Sequence, residues 1–133
     1  METQAQHPTP SPSLHVTVDG QVREIFMSFG LLNQLTNIIG DMQNVGFVHV
    51  VPDIRAQVLN ELLAERTKGG KVTKIVPHDE AEVSLEDIQK LLDFAVEHML
   101  DFTLKATENL VALQKRQEAR ALSLKSSLAG QVS

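Results

Sequence analysis

The chain contains no cysteine, no tryptophan and no tyrosine. Without thiols there is no disulfide framework and no thiolate chemistry, which fits a reducing cytoplasm. Aromatic residues make up 4% of the chain, all of them Phe. That is poor material for stacking nucleic acid bases. Positive charge is short as well: 12 Lys and Arg stand against 17 Asp and Glu, a net charge of −5. A general phosphate or nucleic-acid binder would have the opposite balance. Long apolar runs are missing. The longest, Phe47 to Val51, is interrupted by His49 and is far too short to span a bilayer. The N-terminus is polar and shows no signal-peptide pattern. Nucleic acid and membrane are therefore not expected as partners.

What is present is ordinary for a soluble globular protein: 133 residues, 42% hydrophobic and 22% charged. That length supports one domain with a single modest core. The spacing of apolar residues predicts an α+β fold. Its parts are an N-terminal β-hairpin, a small antiparallel sheet with room for a third strand near 71–77, and a mainly helical remainder ending in a long helix. The expected divisions are a flexible Pro-rich leader at 1–13, a single α+β domain at 14–122 and a frayed tail at 123–133.

The long helix organises the rest. No Gly or Pro occurs between Leu85 and Ala129. Ser84 is a good N-cap, and Asp87 stands where a capping box has Glu. Leu85, Ile88, Leu91, Leu92, Ala95, Val96, Met99, Phe102, Ala106, Leu110 and Leu113 fall on one stripe at about 100° per residue. A helix over 85–122 would be roughly 57 Å long at ~1.5 Å per residue. That exceeds the width of a small domain, so part of it projects or meets another chain. A second apolar line, Leu100, Leu104 and Val111 with Leu122 beyond, lies on another side. Lys90, Asp93, Glu97, Asp101, Lys105 and Glu108 form the wet side. The second line is covered either by more of this domain or by a partner.

The remaining elements follow in order. Leu14, Val16 and Val18 alternate with polar residues up to Asp19-Gly20, a two-residue turn signal, and Val22 to Met27 is the return strand. With that turn Val16 faces Arg23 and Leu14 faces Ile25. Leu14, Val16, Val18, Ile25 and Met27 then share one face. Ser28 caps a helix carrying Leu31, Leu32, Leu35, Ile38, Ile39 and Met42. Phe47 to Val51 is either a short strand or the lead into the next helix. Pro52-Asp53 starts that helix, which is expected to run to about Thr67, with Gly69-Gly70 ending it. Lys71 to Pro77 alternates as an edge strand would.

Chemistry is hard to find. The five His stand at 7, 15, 49, 78 and 98, and none pairs with another at metal-ligand spacing. Asp93, Glu97 and Asp101 could line up on a hard cation, but they read better as a solvated face with Glu86–Lys90 and Asp101–Lys105 pairs. Gly69-Gly70-Lys71 lacks the first glycine of a phosphate loop and has Val72 in place of Ser or Thr. Ser28-Phe29-Gly30 lacks the preceding glycine of a nucleophile elbow. No catalytic, cofactor-binding or metal-binding residue is expected, and no cofactor.

The order of parts carries a resemblance. Thr17-Val18-Asp19-Gly20 precedes a leucine-rich helix. Pro52-Asp53-Ile54-Arg55 and Val58 to Arg66 follow, then Gly70 to Thr73 and Val83 to Asp87. Last comes Leu91-Leu92-Asp93-Phe94-Ala95-Val96-Glu97-His98-Met99-Leu100-Asp101-Phe102. Over roughly 14–120 this is similar to the tail assembly chaperones of long-tailed bacterial viruses. Such proteins often carry Trp where Phe94 stands here. The resemblance implies a non-enzymatic oligomer that acts in the host bacterial cytoplasm and is absent from the finished particle. It would bind the tape measure protein, keep it soluble and help recruit tail tube protein. A structural tail completion or connector subunit is the alternative. With this role, Leu100, Leu104 and Val111 are the residues expected to contact a partner.

Overall fold

A computed structural model describes residues 9–132, with side-chain surroundings given for residues 9–128. Residues 1–8 of the expected leader lie outside the described residues. The chain divides into two compact units, one ending at Asp101 and one starting at Phe102.

The first unit opens with an antiparallel hairpin of β1 (Ser13–Val18) and β2 (Gln21–Phe26), in the register Leu14↔Ile25 and Val16↔Arg23. Asp19 and Gly20 both take positive φ, 52° and 81°, so this is the two-residue turn whose twist matches the strands. Val16, Val18 and Ile25 are buried, and Leu14 and Met27 are partly so, while Val22 and Phe26 face out. The expected face is the face observed.

Helix α1 (Phe29–Ile39) follows, its N-cap Ser28 accepting from the Leu31 N–H at 3.1 Å. A short 3₁₀ turn (Met42–Asn44) leads to α2 (Phe47–Val50) and then α3 (Pro52–Leu63). Phe47 to Val50 is therefore a helix and not a strand. Pro52 gives the reason: the residue before a proline is pushed out of the helical region, and Val51 is extended at φ −102°, ψ 110°. That break separates two helices which would otherwise run together.

Helix α3 ends at Leu63, short of Thr67. The next residues form β3 (Glu65–Arg66), which pairs antiparallel with β4 (Val72–Lys74). So the strand expected near 71–77 exists, but in a two-stranded sheet of its own and not beside the hairpin. Arg66 fixes this turn. Its guanidinium reaches the Glu61 carbonyl and carboxylate and, at 2.7 Å, the Gly70 carbonyl. One cation thus satisfies α3's last turn and the loop together.

Helix α4 starts at Leu85 and runs to Val132, through the stretch expected as a frayed tail. Within the first unit it supplies Leu91, Leu92, Phe94, Ala95 and Met99 to the same buried cluster as Val16, Leu31, Leu35, Val58 and Leu62. Two hydrogen bonds clip the hairpin to the loop before α4. Asp19 N–H donates to the Glu82 carbonyl at 2.9 Å, and Glu82 N–H donates to Asp19 Oδ1 at 2.8 Å. The end of the expected leader is also held. The Ser11 carbonyl lies 2.7 Å from His98 Nε2, and the Pro12 carbonyl accepts from Met27 N–H.

Candidate partner-binding surface

In the first unit α4 is divided cleanly between core and solvent. Ser84 Oγ accepts from the Asp87 N–H at 3.1 Å and starts the helix. The Asp87 carboxylate does not close the box back on Ser84. It accepts from the Thr17 N–H of β1 at 3.0 Å and so joins helix to hairpin. Leu91, Leu92, Phe94, Ala95 and Met99 are buried, with Ile88 and Val96 beside them. Phe94 meets the His98 ring edge-on, the centroids 4.7 Å apart. Within this unit the buried stripe differs from the expected one at two positions. Leu85 is 85% exposed, because it precedes the first turn that touches the core. Phe94, absent from the expected stripe, is in it. The outward side carries Glu86, Lys90, Asp93, Glu97 and Leu100. Lys90 pairs with Glu86 at 3.3 Å, and Asp93 lies 3.5 Å from His49 Nε2.

The burial of the stripe stops at Met99. In the second unit Phe102, Ala106, Leu110 and Leu113 are all exposed, although they continue the same periodicity. Leu104, Leu110, Val111, Leu113, Leu122, Leu124 and Leu128 are 38–67% exposed. Leu104 and Val111 share one side of this helix, while Leu100, 46% exposed, belongs to the first unit. None of the three expected contact residues is sealed in a core.

A regularity of eleven residues runs through these positions. Phe102, Leu113 and Leu124 are each eleven residues apart, and so are Val111 and Leu122, with Leu100 eleven before Val111. Eleven residues make three turns at about 3.67 residues per turn, so such lines drift only slowly around a helix. At about 100° per residue the two lines sit roughly 160° apart. The result is a helix with apolar lines on nearly opposite sides and polar residues between them. The signal was present in the sequence. It shows when the residues of both lines are compared at a spacing of eleven.

The first unit also has an open groove of about 560 Å³ between β2 and the 64–68 segment, lined by Arg23, Glu24, Ile25, Phe26, Leu31, Leu62, Ala64, Arg66, Thr67 and Lys68. Its two guanidiniums are committed to structure. Arg23 donates to the Leu63 carbonyl at 2.9 Å, and Arg66 holds the α3 end. Among the described residues no group of three His, Asp or Glu is placed to hold a metal ion. No helix of the described residues is long and apolar enough to cross a membrane. The two glycine motifs set aside as chemistry prove to be one contact. A Cβ on Gly30 would come 2.9 Å from the Gly69 carbonyl oxygen, and one on Gly70 would come 2.8 Å from Gly30 Cα.

The chain matches no protein-family model, no curated protein and no solved structure.

Proposed function

We propose that this chain is a chaperone of viral tail assembly. It binds the tape measure protein, keeps it soluble in the host cytoplasm and helps recruit tail tube subunits before the tail forms. It carries out no catalysis. The observation that supports this reading is the second unit's helix, whose large apolar residues stay 38–67% exposed on two sides. Large contiguous apolar surface on a soluble protein marks an interaction site. A long helical client offers matching apolar stripes until the tail tube encloses it, and a helix can lie along such a stripe. The client must be released, so each contact is weak and retention comes from many copies. Leu100, Leu104 and Val111 are the proposed contacts.

Co-expression tests the reading. The tape measure protein from the same gene cluster should stay in the soluble fraction beside the wild-type chain and pellet without it. Mass spectrometry of purified particles adds a second readout. A chaperone is missing from them, whereas stoichiometric amounts of this chain would identify a structural tail subunit and overturn the proposal.

A further inference from the structure

We infer that the outer edge of β2 receives an extended, apolar, carboxylate-bearing segment of another protein as an added strand. The site lies wholly within the first unit and shares no residue with the proposed client contacts. The hairpin's hydrogen-bond alternation carries the inference. Val18↔Gln21 closes the two-residue turn, so bonded pairs recur at Val16↔Arg23 and Leu14↔Ile25. The Met27 N–H, donating to the Pro12 carbonyl at 2.9 Å, keeps the same phase. The N–H and C=O groups of Val22, Glu24 and Phe26 therefore point away from β1. The outer edge of β1 is covered, since its Thr17 N–H donates to the Asp87 carboxylate of α4 at 3.0 Å. On β2 the Phe26 carbonyl is taken by the Ser28 N–H. Among the described residues the hairpin sheet has no third strand, and no group meets the outward N–H and C=O of Val22 and Glu24.

A bare strand edge is normally blunted by Lys, Pro or a bulge. The outward residues of β2 include no Lys or Pro, and Val22 and Phe26 are 70% and 51% exposed. Beside this edge lies the groove of about 560 Å³. Four successive β2 residues, Arg23 to Phe26, line it and none of β1 does, which places it along the open edge. Buried Ile25, Leu31 and Leu62 give it an apolar lining, and its size suits a few side chains. An added strand bonds to such an edge and sends alternate side chains into the pockets beside it. Charge selects the occupant. In a chain of net charge −5, the groove is lined by Arg23, Arg66 and Lys68 against Glu24 alone. Both guanidiniums donate within the fold but keep their charge. Lys68 is exposed and has no ion pair among the described residues, while Glu24 lies 3.9 Å from His15 across the hairpin. A carboxylate on the incoming segment complements that lining.

The probe is a short peptide of alternating valine and threonine ending in aspartate, acetylated and amidated so that the aspartate is its only carboxylate. It is titrated into the full chain and followed by amide NMR. Shifts should be confined to β2 and residues 64–68, with slowed hydrogen exchange at the Val22 and Glu24 amides. A peptide with a fully N-methylated backbone should bind at least about tenfold more weakly, because its hydrogen bonds to the edge are lost. Asparagine in place of the aspartate, or Lys68→Glu in the protein, should each weaken binding at least about threefold at low salt. Lys68 is exposed, so that variant keeps the fold. No shift at millimolar peptide, shifts centred elsewhere, or equal binding of the methylated or asparagine peptide overturns the inference. So does protection of the Val22 and Glu24 amides that grows with protein concentration in the peptide-free chain, which would put a second copy on the edge. Failure here with client solubilisation intact removes this inference and leaves the proposed function standing.

Discussion

Gly70 shows how much of the first unit hangs on a single missing side chain. Its φ is +98°, and a Cβ there would stand 2.6 Å from Ser28 Oγ and 2.8 Å from Gly30 Cα. Ser28 is itself buried and is the α1 cap. Gly70→Ala should therefore lower stability by about 1–3 kcal/mol, from backbone strain and from crowding of the cap, measured as the shift of the urea midpoint at constant slope. An unchanged midpoint would mean that α1 and the 69–70 turn do not touch. Nothing in the local sequence announces this contact, since its two halves are some forty residues apart. Asp87 fails to be legible for the same reason. It has the spacing of a capping residue, yet its carboxylate, shorter than a Glu by one methylene, reaches the Thr17 N–H. Only the folded chain brings that partner near.

At the scale of elements, starts were readable and ends were not. Ser28, Pro52, Ser84 and the Asp19-Gly20 turn act through their own neighbours, so sequence alone locates them. The end of α3 depends on Arg66 reaching back to Glu61 and across to Gly70, and the partner of β4 depends on that turn. Helix α4 poses the sharper case. Apolar periodicity continues through Met99 without a change, and it cannot say whose surface each turn will meet. Leucines of the same helix should separate the two regimes. Leu91 is fully buried, and Leu91→Ala should cost about 2–5 kcal/mol by loss of contacts and a residual cavity. Leu104 is 38% exposed, and Leu104→Ala should stay within about 0.5 kcal/mol of wild type. Urea unfolding of both variants checks the contrast. Equal losses would place Leu104 in a core.

The chain falls into a first unit that holds the buried cluster and a second whose large apolar residues are exposed. The buried cluster is complete within residues that end at Met99. A chain ending at Asp101 should therefore fold cooperatively, its thermal midpoint within a few degrees of the full chain, roughly the span of a 1 kcal/mol change for this size. Differential scanning calorimetry decides this, and a noncooperative trace from the shortened chain would show that the second unit is needed for the first. The same division explains what composition could and could not reveal. The absence of cysteine and the acidic balance narrow the range of chemistries. The assignment of one helix to two environments is a property of three-dimensional packing.

The central claim is that the exposed lines of α4 hold a client and do not stabilise the fold. Leu104→Glu combined with Val111→Glu tests it most directly, with thermal unfolding and client solubility measured on the same preparation. The account predicts an unfolding midpoint near that of wild type together with loss of the tape measure protein from the soluble fraction. A variant that unfolds, or one that still keeps the client soluble, would contradict it.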